Sequence, residues 1–380
     1  MRVQRCLRAP ELGPRLLFFS GGTALRGVSR VLKRLTHNSI HLVTPFDSGG
    51  SSAVLRDAFG MLSIGDLRNR IMALANESAT SNPAVYELFS HRLSASESAP
   101  ALGDTLTTMV RGTHELVAAV PMPMRRLIRT HLRLFAERMP HTFDLRGASI
   151  GNLILVGGFL NHDRDMDSVL FLFSQLIEAR GTVLPVVATE LHLAADLVDG
   201  STLVGQHLFT GKEVPPITSP IRSVRLVSVL PPHLDEMVAI QDNVRTLIAD
   251  ADLIVFPMGS FYSSVLAPLL PGGVGEAIAA AECPKVFIPS TGVDPEAIGL
   301  TVAESVARLV AVIRADAGPV PVERVVNAVL VDTQGAEYAN ACVAEDIRSQ
   351  GVAVADLDLA GKRADRLDAR KISEALVSLT

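Results

Sequence analysis

The run Leu16-Leu17-Phe18-Phe19-Ser20-Gly21-Gly22-Thr23 and the run Ile40-His41-Leu42-Val43-Thr44, which leads to Asp47-Ser48-Gly49-Gly50-Ser51-Ser52, decide the reading of this chain. Each is a short apolar segment that breaks into glycines and hydroxyls. A strand ending this way exposes backbone N–H groups at the carboxyl edge of a sheet, where open α/β folds hold phosphates and nucleotides. Two such loops on successive strands predict one composite anion site. A third polar cluster, Gly65-Asp66-Leu67-Arg68-Asn69, follows closely.

Further apolar runs recur with helical patterns between them: Val183 to Ala188, Val224 to Val229, Leu253 to Pro257, Val286 to Pro289 and Val325 to Val331. This alternation predicts an α/β fold, Rossmann-like and three-layered, with a mostly parallel sheet under helices on both faces. Val28, Val31, Leu32 and Leu35 share one face of a helix after the first loop. Residues 77–147 lack strand signals and carry apolar residues at helical spacing. They read as a helical insertion, a lid or a dimer face, with Ser94 to Pro100 as a mobile spacer and a homodimer as one expectation. Alternating residues on either side of Val198-Asp199-Gly200-Ser201 predict a β-hairpin. The expected layout is a basic N-terminal extension (1–14), an α/β domain (15–362) and a C-terminal tail (363–380) forming a solvent-facing helix from Asp365 onward.

With 380 residues, 48% hydrophobic and 20% charged, the chain is globular and long enough for a large core. Aromatics at 4%, no tryptophan and a net charge of -5 argue against nucleic acid as a partner. Arg2, Arg5, Arg8 and Arg15 make the start basic, but no apolar h-region follows, so no signal peptide is expected. Cys6, Cys283 and Cys342 are scattered and match neither a disulfide framework nor a zinc spacing, which fits a reducing cytoplasm. The charge-free run Leu253 to Gly275 is broken by Pro257, Pro268 and Pro271 and reads as a buried strand plus loop, so no membrane span is expected.

Each candidate has a bland counterpart. Gly21, Gly22 and Thr23 could cradle a phosphate or simply turn the chain; they do not match G-x-G-x-x-G. In the second loop, Asp47 beside Ser48, Gly49, Gly50 and Ser51 could hold a metal-phosphate or a ribose diol. Alternatively, Ser51 or Ser52 caps a helix beginning near Ala53. Asp66, Arg68 and Asn69 offer a carboxylate, a planar fork for phosphate and an amide, or else lie on a solvated helix face. Asn152, in Ser149-Ile150-Gly151-Asn152, needs polar partners from a ligand or a neighbouring loop. Gly259, Ser260, Tyr262 and Ser263 form a third strand-end loop, or an ordinary connection with Tyr262 packed on the core. Gly211-Lys212 is not a Walker loop, since Gln206 and Glu213 occupy its other key positions. Asp163 to Asp167 caps a helix over Ser168 to Ala179, and His37 and His41 straddle a strand entry. No G-x-S-x-G or HExxH is present.

Taken in order, these motifs resemble the CofD/YvcK-like family. The likeness rests on Gly21-Gly22-Thr23, Asp47 to Ser52, Gly65 to Asn69, Ser149 to Leu155 and Ala251 to Ser264, and runs from about residue 16 to 360. It implies a Rossmann-like core that binds a nucleotide or nucleotide-linked small molecule. One branch transfers 2-phospho-L-lactate from a guanosine-diphosphate-linked donor with Mg²⁺. The other looks regulatory and binds UDP-sugars. The resemblance to the first implies a transferase of a phosphate-linked group. There Asp47 would hold Mg²⁺ or take the proton of an attacking hydroxyl, the glycines and Arg68 would stabilise phosphates, and Tyr262 and Asn152 would shape the base or acceptor pocket. Ser48 stands where many relatives carry a second aspartate. Ser290-Thr291-Gly292-Val293-Asp294-Pro295 departs from the pattern of the UDP-sugar branch.

Overall fold

The computed structural model of the chain describes residues 2–77, 81–339 and 341–380. Met1 of the basic extension, residues 78–80 of the helical insertion and Asn340 of the α/β domain lie outside the described residues.

Seven strands form one parallel sheet: β1 (Leu16–Ser20), β2 (Ile40–Val43), β3 (Thr182–Pro185), β7 (Leu253–Phe256), β8 (Lys285–Phe287), β9 (Ala328–Val331) and β10 (Ala353–Asp356). Their spatial order is β10-β9-β8-β7-β1-β2-β3. Every residue of β1, β2 and β7 is buried, as expected of parallel strands covered on both faces. The alternation sorts side chains between the faces: Leu17 and Phe19 enter one core, Leu16 and Phe18 the other. Register is fixed by this sorting, with Leu17 opposite Ile40 and Leu16 opposite Leu253. β10, the edge strand, is only partly buried and carries no continuous apolar run, which is why periodicity does not reveal it.

The chain runs from β1 outward through β2 to β3, then returns to β7 on the other side of β1. The strand order therefore reverses at β1, and a ligand crevice is expected at the carboxyl ends of the strands there. A second sheet, β5-β4-β6, is antiparallel and built from β4 (His192–Leu197), β5 (Thr202–Val204) and β6 (Ile221–Val227). The hairpin around Asp199-Gly200 is present as the β4–β5 pair. The run Val224 to Val229, expected in the parallel sheet, instead pairs antiparallel with β4; the strand has exposed Arg222 and Ser223 beside buried Ile221, Leu226 and Val227, which suits a sheet not covered on both faces.

Fifteen α-helices among the described residues surround the sheets. α1 (Arg2–Arg8) and α2 (Arg26–Leu32) pack with α15 (Ala369–Ser378) over one face. The C-terminal helix is thus not solvent-facing: Ile372, Leu376 and Val377 are buried in the core that holds Leu16 and Phe18. Beside them on the same face, over β2 and β3, lie α3 (Gly50–Phe59) and α4 (Gly65–Leu74), then α5 (Pro83–Ser90), α6 (Ala99–Arg111), α7 (Glu115–Ala118) and α8 (Met124–Arg138), whose core takes in Val43 and Val183. The last two residues of the Ser94–Pro100 spacer already belong to α6, with Ser98 as its N-cap. α9 (Ile150–Asn161) is apolar all round and almost wholly buried. It crosses α8 so closely that a Cβ on Gly157 would lie 1.9 Å from His131 O. α10 (Met166–Leu176), capped by Asp165, completes this layer, starting two residues earlier than expected. The second half adds α11 (Asp242–Ala249), α12 (Val274–Ala280), α13 (Val302–Ala317) and α14 (Ala344–Arg348). No helix among the described residues is long and apolar enough to cross a membrane.

Candidate functional site

Because β1 and β2 are neighbours, their loops emerge side by side. The first loop is held by α4. Gly22 N donates to Asp66 Oδ2 at 2.7 Å, and Arg70 Nη2 donates to the carbonyls of Gly21 (3.1 Å) and Gly22 (3.2 Å). Gly21 is glycine for space, since a Cβ there would lie 2.8 Å from Ser264 Oγ and Thr44 Cγ2. The carboxylate of the third motif therefore occupies the amide that the sequence offers to a phosphate. Arg70, one residue beyond that motif, is the clamp that pattern reading did not single out.

The second loop opens into a cavity of about 230 Å³. Asp47 Oδ1 accepts from Gly49 N (3.2 Å) and from Gln206 Nε2 (2.7 Å), and Ser48 Oγ bonds His207 Nδ1 at 2.8 Å. α3 begins at Gly50, whose φ of +47° favours glycine, with Gly49 as its N-cap. Ser51 and Ser52 lie within the first turn and do not cap the helix; the glycine pair lets it start three residues earlier than Ala53. Gly49 supplies no side-chain cap, so the N-terminus of a ten-residue helix faces the cavity with its dipole uncapped.

Around this N-terminus stand Arg68, Asn69, Arg92, Asn152 and Lys212. Arg68 is buried, not on a solvated face. Its Nη1 donates to Phe89 O and its Nη2 to Asn69 Oδ1, while Nε has no partner. Burial, and the neighbouring charges of Arg92 and Arg26, push the Arg68 guanidinium down to about 10. Among the described residues, Arg68, Arg92 and Lys212 make no ion pair with a carboxylate. Asp66 is pushed the other way, up to about 6, first by burial and then by the charge of Asp47. Asp47, Asp66 and Glu213 are the carboxylates on this cavity, and the repulsion between Asp47 and Asp66 is what a divalent cation would relieve.

Gly259, Ser260, Tyr262 and Ser263 do not line this cavity. The loop after β7 winds into a π-helical turn, Phe261–Leu266, whose amides are taken by the protein's own acids. Phe261 N donates to Asp294 Oδ2 and Ser263 N to Glu296 Oε2, both at 2.7 Å, and Gly259 N donates to Ser290 Oγ. Burial and the adjacent Asp294 raise Glu296 to about 7. Tyr262 is 3% exposed and donates its hydroxyl to Ile221 O, so it packs in the core and shapes no base pocket. Thr23 lies on a separate groove beside α2. The segment Ser290 to Pro295 is thus the internal counterpart of the loop that the sequence offered to a ligand.

The site also contains residues the sequence reading set aside. Gln206, His207, Lys212 and Glu213, on the segment joining β5 to β6, fold back over the Asp47 loop. Their signal was the hairpin itself, which returns the chain to the carboxyl edge of the sheet. Arg92, between α5 and α6, is tied to Gly147 O and gave no local signal.

The switch-point crevice, the start of α3 without a side-chain cap and the cations without an ion pair mark a Rossmann-like α/β protein with its candidate site at the carboxyl end of β2. The family model described as 2-phospho-L-lactate transferase CofD matches residues 16–375, and the chain belongs to that family. Among curated proteins it is 28% identical over 297 residues to the gluconeogenesis factor of Bacillus subtilis, covering 78% of this chain and 74% of that one. It is 28% identical over 295 residues to a putative gluconeogenesis factor of Nostoc sp., covering 77% of this chain but 51% of the relative, so the match spans about half of that protein. A crystal structure of a UPF0052-family protein from Bacillus halodurans shares the fold, with a TM-score of 0.70, 23% identity and coverage of 96% and 99% of the two chains.

Proposed function

We propose that this chain binds a nucleotide-diphosphate-linked small molecule at the N-terminus of α3 and serves as a ligand-responsive regulator. The observation that carries this reading is the grouping of Arg68, Arg92 and Lys212, none paired with a carboxylate, around an uncapped helix start. Cations grouped at a helix start without a side-chain cap favour the binding of an anion there. The curated relatives named gluconeogenesis factor favour the regulatory role. The tying of Ser48 to His207 and of Asp47 to Gln206 supports it too, because it joins the ligand loop to the β5–β6 segment and gives bound anion a route to that segment's conformation.

A second reading, transfer of a phosphate-linked group, is favoured by the family model's description and by Asp47 standing beside the anion site. In it, an acceptor hydroxyl attacks the phosphorus that bears the group. The bond to the bridging oxygen breaks, the nucleoside monophosphate leaves, and Asp47 takes the hydroxyl proton. Arg68 and the α3 amides hold the phosphate oxygens as charge develops. Mg²⁺ suits Asp47 and Asp66, since it commonly uses one or two carboxylates plus substrate phosphates, and when bound it supplies charge neutralisation. The test is a nucleotide titration with and without Mg²⁺, followed by an assay for released nucleoside monophosphate. Binding without release supports the regulator; release lost in Asp47→Asn, by 100-fold or more, supports the transferase. Failure of every nucleotide to bind removes both.

A further inference from the structure

Leu230, Leu234 and Met237 are 77%, 65% and 99% exposed, and they fall within eight residues of one turn that follows β6. No other stretch of that length among the described residues holds three exposed large apolar side chains. The turn is not loose chain. Ser228 N donates to Leu234 O at 2.9 Å, His233 N to Leu230 O at 3.1 Å and Glu236 N to Leu226 O at 3.0 Å. His233 sits at φ +55°, a costly conformation for a residue with a side chain, and its Nδ1 donates to Ser228 O at 3.0 Å. Backbone bonds thus hold apolar side chains outward, in water, where they gain nothing for the fold. Beside the turn runs a groove of about 680 Å³ with Leu191, Val229 and Leu230 as its apolar walls. Its carboxylates are Asp57, Glu190 and Glu236; among the described residues, Asp57 and Glu236 make no ion pair. Its one cation, Arg56, is 2% exposed and already engaged: it donates to Asp47 O at 3.1 Å and Leu191 O at 2.7 Å and pairs with Glu190.

We infer that this groove and turn form a docking surface for a partner protein, one that presents an amphipathic segment of apolar and basic residues. Clustered exposed apolar side chains beside a groove mark a protein-binding face. The carboxylates decide the chemistry of the occupant. An acidic segment or an anionic lipid surface would meet Asp57 and Glu236 with like charge, whereas lysines or arginines would pair with them. A simple cation would leave Leu234 and Met237 in water. A helix with one apolar and one basic face covers both. Arg56 makes the surface more than an anchor. It lies on α3, and the same guanidinium that floors the groove holds the carbonyl of Asp47 at the anion site. A basic side chain seated on Glu190 competes with Arg56 for that carboxylate, so docking alters the hold on the Asp47 loop. The coupling is reciprocal: a ligand that shifts this loop changes the affinity for the partner. This link rests on the diphosphate reading above, while the docking surface stands apart from it.

The test is fluorescence anisotropy of the full chain with two labelled amphipathic helical peptides, one of leucine and lysine and one of leucine and glutamate at the same spacing. The leucine–lysine peptide should bind one per chain, tenfold or more tighter than its glutamate twin. Leu234→Ser with Met237→Ser should weaken it tenfold or more, and Glu236→Lys about fivefold at low salt. Leu12→Ser with Val198→Ser, at exposed apolar positions elsewhere, should stay within twofold. All of these side chains are exposed, so melting temperatures should not move. Equal binding to the unmodified chain and to both double variants would overturn the inference, as would a preference for the glutamate peptide. A dimer of the chain alone in sedimentation, dissociated by Leu234→Ser with Met237→Ser, would give the surface to a second copy and overturn it too. Saturating pyrophosphate should change the affinity for the leucine–lysine peptide threefold or more, and Glu190→Gln should abolish that change. No change, with pyrophosphate shown to bind by calorimetry, would overturn the link through Arg56. If pyrophosphate does not bind the chain, it is the diphosphate reading that fails.

Discussion

Asp66 does two things at once: its carboxylate holds the Gly22 amide, and it shares a cavity with Asp47. Both facts follow from its place in the first turn of α4 beside β1. Burial weakens it as an acid, pushing its pKa up to about 6 from the 3.8 of an unconstrained aspartate. The native protein therefore takes up this proton more readily than the unfolded chain. The resulting stability is full below the unfolded value near 4 and is lost as pH rises through about 6. Asp66→Asn keeps an acceptor for Gly22 and removes the buried charge. Thermal melts should show the variant about 2–4 °C above the unmodified chain at pH 7.5, the shift expected of roughly 1 kcal/mol in a large domain, with the gain gone at pH 4.5. A variant that melts lower at pH 7.5 would mean the ionised carboxylate is needed.

At the scale of elements, glycines mark where backbones meet. Gly157 lets α9 lie against His131 O on α8, and α9 carries Asn152 to the site. Gly157→Ala should force these helices apart and cost about 3 kcal/mol or more, read as a drop in the denaturant midpoint, with the anion site weakened alongside. The β5–β6 segment is the other decisive element. Glu213 Oε1 would lie 2.4 Å from a Cβ on Gly49, so an exposed carboxylate already covers the start of α3. Removing that like charge by Glu213→Gln should tighten diphosphate binding about fivefold at low salt, measured by titration, and the gain should shrink as salt is added. No change at low salt would place Glu213 outside the anion's path.

Much of this was legible from residues alone, for identifiable reasons. β1, β2 and β7 announce themselves because both faces of a parallel strand are apolar, and the glycines after them mark the carboxyl edge. β10 stays hidden because an edge strand needs no such run. The site divides the same way. Asp47, Gly49, Gly50, Ser51, Asp66, Arg68, Asn69 and Asn152 were readable as strand-end or helix-start motifs, and the structure gathers them on one cavity, while Ser48 turns to His207. Tyr262 and Ser263 carried the same pattern, but Asp294 and Glu296, some thirty residues away, consume that loop's amides; a tertiary contact of this kind leaves no local trace. Arg92 and Lys212 reach the site only through the insertion and the hairpin, whose placement no periodicity encodes. A ligand bound across these separate elements should raise the melting temperature of the whole molecule by mass action, increasing with each decade of concentration.

The most direct measurement is a calorimetric titration of UDP- and GDP-linked ligands into the full chain and into an Arg92→Ala, Lys212→Ala double variant. Both side chains are exposed, so the fold should be kept. One saturable site per chain, weakened tenfold or more in the double variant with an unchanged melting temperature, is the predicted result. Saturable binding of equal strength in both proteins, or no binding in either, would contradict an anion site at the start of α3.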